Sequence, residues 1–114
     1  MAEKRSVKEL TDILRELVER KGIDLERIVV FGSRAKGIYR EDSDIDIIVV
    51  SKAFENKDIF ERVGMTSGIH RELVRKIMMP VDIVYLSVSE WESGDSLIVH
   101  YAKEGEEAYA RGKD

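Results

Sequence analysis

The sequence predicts a single α/β domain spanning residues 1–114, a small sheet with helices packed against it. Three observations lead there. Short β-branched apolar runs at residues 28–31, 47–50 and 81–86 alternate with segments of helical period. A length of 114 residues with 43% hydrophobic content suits one domain around one core. No apolar run approaches 18 residues, so no membrane span is expected.

The first element is a helix. Val7, Leu10, Leu14, Leu17 and Val18 fall on one stripe at helical spacing. Ser6 followed by Glu9 reads as a capping box at its start. Gly22, just after Arg20 and Lys21, reads as its stop. Its expected role is structural, covering one face of the sheet. Residues 24–27 lead into a short buried strand at 28–31. Gly32 then permits a sharp turn and leaves no side chain in a ligand's way. Ser33 is a good N-cap, so a helical turn starts there. Its free N–H groups and positive dipole end suit a phosphate, and Arg34 and Lys36 add positive charge. The plainer alternative is an ordinary strand-to-helix turn with solvated basic residues.

Residues 38–43 form the loop to the next strand. On a strand, residues i and i+2 share a face, so Asp44 and Asp46 point one way and Ile45 and Ile47 the other. Residues 47–50 are apolar on both faces, which marks a central strand. Two carboxylates on one face repel unless a cation lies between them, and Mg²⁺ is a hard ion held by carboxylates and substrate phosphates. The alternative is two solvated aspartates at a strand start. Arg40 and Asp42 are left to the solvated loop. Together, the Gly-Ser turn and the paired acids describe a site for a nucleoside triphosphate and its metals.

Residues 51–56 read as a connection. A long helix is expected from near Asp58, with Ile59, Val63, Leu73, Val74 and Ile77 on its buried side. Its middle, residues 64–68, is poor in helix formers, so a kink or break is expected there. His70 stands alone, without a second ligand at metal spacing, and reads as a surface or satisfied histidine. Pro80 opens the third strand. Asp82 shares a face with Val84 and Leu86. Inside so apolar a strand an acid needs a partner: a metal shared with the other acids, or one of the many arginines. Ser87 or Ser89 caps a further helix that Gly94 breaks. A helix resumes over 95–102, Gly105 ends it, and 107–110 form a last short strand. Trp91, Tyr101 and Tyr109 are core by default, and 111–114 a frayed tail.

The string Gly32-Ser33-Arg34-Ala35-Lys36-Gly37, five residues, then Ser43-Asp44-Ile45-Asp46, resembles the signature of the DNA polymerase β-like nucleotidyltransferase superfamily, in particular its minimal nucleotidyltransferases. The resemblance runs from about Val7 to Tyr109. It implies a mixed sheet with the two motif strands antiparallel, and a third carboxylate on a later strand, where Asp82 stands. It also implies that Asp44 and Asp46 hold two Mg²⁺ ions, that Asp82 holds the one nearer the nucleophile and helps draw off its proton, and that Gly32, Ser33 and the adjacent backbone hold the phosphates of ATP, with Arg34 or Lys36 assisting. Small members are often paired with a helical HEPN-type toxin and resemble antitoxins that transfer AMP onto a tyrosine of that partner. The expected function is therefore AMP transfer from ATP to such a partner. Two rivals stand beside it: a subunit of an antibiotic-type small-molecule nucleotidyltransferase, and a non-catalytic nucleotide-binding module that neutralises its partner by contact. A homo-oligomer stays open.

Composition narrows the classes further. The absence of cysteine excludes a disulfide frame, thiolate metal sites and a cysteine nucleophile. The first eight residues are polar and lack an apolar signal region. Both point to the cytoplasm. A net charge of −4 argues against a mainly phosphate-driven nucleic-acid binder.

Overall fold

The computed structural model describes residues 2–31, 45–94, 97–102 and 105–112, with side chains for all but 2–6, 97, 98, 101 and 106. Gly32, Ser33, Arg34, Lys36 and Asp44, and the helical turn expected at Ser33, lie outside the described residues. The order is α1 (Ala2–Arg20), β1 (Leu25–Phe31), β2 (Ile45–Ser51), a 3₁₀ turn (Lys52–Phe54), α2 (Ile59–Met65), α3 (Ile69–Ile77), β3 (Val81–Leu86), α4 (Val88–Ser93), α5 (Leu97–Ala102) and β4 (Glu106–Ala110).

Among the described residues the strands form one sheet in the order β3-β2-β1-β4. β1 runs antiparallel to both β2 and β4, whereas β2 and β3 are parallel. The sheet is therefore mixed, with antiparallel motif strands, as the resemblance implies. The alternation of β1 and β2 sorts their side chains into two cores. On one face Ile28, Val30, Ile45, Ile47 and Val49 pack with Leu10, Leu14 and Val18 of α1 and Ile69 and Leu73 of α3. On the other, Val29, Phe31, Ile48 and Val50 pack with Trp91 of α4 and Val99 and Ala102 of α5. Both central strands are thus buried on both sides, which is why residues 47–50 carry no polar alternation.

Several local expectations are corrected. α1 begins at Ala2, upstream of Ser6, so Ser6 lies within the helix and is not its cap; Ala2-Glu3-Lys4-Arg5 are all good helix formers and none stops the helix at Ser6. β1 starts at Leu25, three residues before the apolar run. Arg27 fits there because its guanidinium pairs with Glu107 of β4. The long helix is two. Asp58 does cap α2, in a full capping box with Glu61, but α2 stops at Met65. Gly68, at φ 86°, sits in the left-handed region that ends a helical run and starts α3 on a new axis. This break turns Ile59 and Val63 outward: they are 69% and 62% exposed, and Phe60 82%. Leu73 remains buried, and Val74 and Ile77 pack partly against the first core. The tail is not wholly frayed, since the Arg111 amide donates to the Glu26 carbonyl and its guanidinium pairs with Asp24.

Other expectations hold. Gly22 has φ 76° just beyond α1. Ser87 caps α4 in a capping box with Glu90, and Gly94 ends that helix in the left-handed conformation.

Candidate functional site

β3 is the edge of the sheet, and Asp82 is its second residue. In the parallel register Asp82 lies directly opposite Asp46 of β2, and Asp46 in turn lies opposite Phe31, the last residue of β1. Opposed residues of adjacent strands project to the same face, and adjacent strands run about 4.8 Å apart. Alternation along β2 from Ile48 and Val50, and along β3 from Val84 and Leu86, puts both acids on the face of the second core. They lie beyond the apolar part of that face, at the end from which β1 runs on to Gly32.

Asp46 is partly buried and Asp82 exposed. The exposure corrects the expectation of an acid buried in an apolar strand: as an edge residue near the strand start, Asp82 has its side chain open to water, and no burial penalty calls for a protein partner. Among the described residues no arginine forms an ion pair with Asp82. Two like charges side by side, with oxygen donors only, suit a hard divalent cation. The donor set fits Mg²⁺ or Mn²⁺ and is wrong for a soft metal. Among the described residues no third acid or histidine joins the pair.

The open side of β3 is lined by a groove of about 570 Å³. Its walls include Ile59, Arg62 and Val63 of α2 and Val84, Tyr85 and Leu86 of β3. Burial pushes the Tyr85 phenol up to about 12, so it stays protonated. Arg62 organises this side. Its guanidinium donates to the carbonyls of Lys57 (2.9 Å), Phe54 (3.0 Å) and Tyr85 (2.9 Å), and to the Glu90 carboxylate (2.8 Å). Nothing in the sequence separated Arg62 from the other arginines, because its four acceptors come from four different segments. His70 is satisfied, as expected, through the Val81 carbonyl at 2.6 Å.

Comparison with known proteins finds likeness both in sequence and in fold. The model of the nucleotidyltransferase domain family matches residues 7–105. A Methanocaldococcus jannaschii protein, named as a candidate protein adenylyltransferase, is 38% identical over 50 residues; that stretch is 44% of this chain and 47% of the relative, so the chain spans about half of its length. The crystal structure of a candidate nucleotidyltransferase from Sulfolobus solfataricus superposes with a TM-score of 0.68 at 28% identity, over 98% of this chain and 86% of that one. A toxin–antitoxin structure with AMP-PNP superposes with a TM-score of 0.61 over 89% of this chain and 73% of its own, and at 21% identity that likeness is one of fold. Among the described residues no helix is long and apolar enough to cross a membrane.

Proposed function

This chain belongs to the nucleotidyltransferase domain family, and from that premise we propose that residues 1–114 act as one domain that transfers AMP from ATP to a hydroxyl of a partner protein. The observation that carries the proposal is the register of Asp46 against Asp82, two acids on one face at the end of the sheet where β1 runs on to Gly32 and Ser33.

In this reading Asp44, Asp46 and Asp82 would hold two divalent ions, whose chemistry when bound would be Lewis acidity toward the acceptor hydroxyl and the leaving oxygens. Gly32, Ser33 and the following backbone hold the terminal phosphates, with Arg34 or Lys36 assisting. The acceptor oxygen bonds to the α-phosphorus, the bond from that phosphorus to its bridging oxygen breaks, and pyrophosphate leaves with the electron pair. Asp82, the outer and more exposed acid, takes up the hydroxyl proton and passes it to water. The chain's own contribution is position and electrostatics.

Protein as acceptor is favoured by two features. The relative in M. jannaschii is named for protein adenylylation. The groove, walled in part by the exposed Ile59 and Val63, lies along the same open strand that carries Asp82, and exposed apolar side chains of this kind mark protein contact. The fold neighbour from a toxin–antitoxin structure with AMP-PNP suggests a toxin as that partner; we assign it to the helical HEPN type, with a tyrosine as acceptor, and the reaction to the cytoplasm. The test is incubation of the chain, co-expressed with its genomic neighbour, with α-labelled ATP and Mg²⁺. Label on the neighbour that disappears with Asp46→Asn supports the reading. Neutralisation of the partner by the unlabelled double variant Asp44→Asn/Asp46→Asn would instead favour action by contact.

A further inference from the structure

We propose that His70 is a positioning residue for Asp82, and the proposal rests on the reading of Asp82 as a metal-holding acid. An edge strand has a sheet neighbour on one side only, so half of its backbone groups have no ladder partner. Here the Ile45 amide donates to the Pro80 carbonyl at 3.1 Å. In a parallel pair the groups facing the neighbour then belong to alternate residues. On β3 these are Asp82, Val84 and Leu86, while the backbone groups of Val81, Ile83 and Tyr85 face outward. Two of those three outward carbonyls are met by side chains: Val81 by His70 Nε2 at 2.6 Å, and Tyr85 by Arg62.

The two contacts do different things. Arg62 holds the far end of the strand. His70 holds the peptide that joins Val81 to Asp82. That peptide's N–H is the Asp82 amide, which faces β2 opposite the Ile45 carbonyl. Its oxygen is the acceptor of His70. The plane that sets the direction of the Asp82 side chain is therefore held from both edges. The acceptor is a carbonyl, so Nε2 must carry the proton and donate. The far end of the brace is firm, because His70 sits in the first turn of α3 between Ile69 and the next core residue Leu73, which are 1% and 0% exposed. His70 itself is exposed, so its truncation opens no core cavity.

The test uses Mn²⁺ as the probe, titrated in the presence of a non-hydrolysable ATP analogue, and amide hydrogen exchange of the same proteins. His70→Ala is expected to weaken Mn²⁺ about tenfold, the usual scale for loss of a group that orients a ligand. It is also expected to speed exchange of the Asp82 amide, with the melting temperature close to wild type. His70→Gln, whose side-chain amide nitrogen reaches the place of Nε2, is expected to restore both. Mn²⁺ affinity unchanged in His70→Ala, or lowered equally in His70→Gln, overturns the proposal. Asp82→Asn separates the two layers. If it abolishes Mn²⁺ binding while His70→Ala is silent, only the brace is wrong. If Asp82→Asn binds Mn²⁺ as wild type does, the reading of Asp82 fails and the proposal falls with it.

Discussion

Arg62 of α2 donates to the outward carbonyl of Tyr85 on the edge strand across 2.9 Å, and with only 15% of its side chain exposed it serves three further acceptors. Its guanidinium joins the 3₁₀ turn, α2, β3 and α4. Arg62→Ala leaves the Phe54 and Tyr85 carbonyls short of a donor. The expected loss is about 2–4 kcal/mol in denaturant unfolding, because unsatisfied buried acceptors cost more than the bonds themselves contribute. Arg62→Lys is expected to recover less than half, since an ammonium cannot reproduce a planar fork aimed at several acceptors.

Glu90 gives a pH dependence. Burial pushes its carboxyl up, but the Arg62 guanidinium and the backbone and hydroxyl of Ser87 outweigh it and hold the carboxyl below the usual 4.5. A carboxyl lowered in the folded state favours folding above its unfolded value, and that contribution is lost as pH falls through the folded value. Thermal unfolding should therefore show wild type more stable than Glu90→Gln at neutral pH, with the gap closing as pH drops below about 4.5.

Gly105 lies against the end of β1. A methyl group there would meet the Phe31 Cβ and the Val30 carbonyl oxygen at 2.7 Å, and the Ala102 carbonyl at 3.1 Å. The first two atoms belong to a central strand and cannot retreat. Gly105→Ala is expected to cost about 1–3 kcal/mol, seen as a melting temperature several degrees lower.

Met78 closes α3 in the left-handed conformation at φ 60°, with its side chain 81% exposed. That backbone costs an L-residue roughly 1–2 kcal/mol. Met78→Gly should raise stability by about 0.5–1 kcal/mol after the extra chain entropy of glycine is counted. Met78→Val should lower it. Differential scanning calorimetry of the three proteins decides.

The sheet was legible where chemistry and period agreed. Residues 28–31 and 47–50 read as buried strands, and Ile45 and Asp46 fall on opposite faces of β2 as strand alternation predicts. The direction of β3 was not legible, because a strand of six residues carries no mark of its neighbour's orientation. Neither was its place at the edge, which leaves Asp82 exposed where so apolar a strand predicts a buried acid. Ile59 and Val63 were set on a buried face because their spacing fits a helix continuing to Leu73. The break at Gly68 changes the axis, and the same spacing then faces outward. His70 was read correctly as satisfied. Its partner, eleven residues on, could not be found before Val81 was known to face outward from the edge. Gly32, Ser33, Arg34, Lys36 and Asp44 rest on their motif alone.

The central claim, that Asp46 and Asp82 hold metal for a bound nucleotide, is tested most directly by calorimetric titration of ATP with Mg²⁺ into wild type, Asp46→Asn and Asp82→Asn. Each change keeps the size and shape of the side chain, and a thermal melt of each variant checks that it is folded. The account predicts binding to wild type that requires Mg²⁺ and falls at least tenfold in each variant. Binding of equal strength in all three proteins, or binding to wild type indifferent to Mg²⁺, would contradict it.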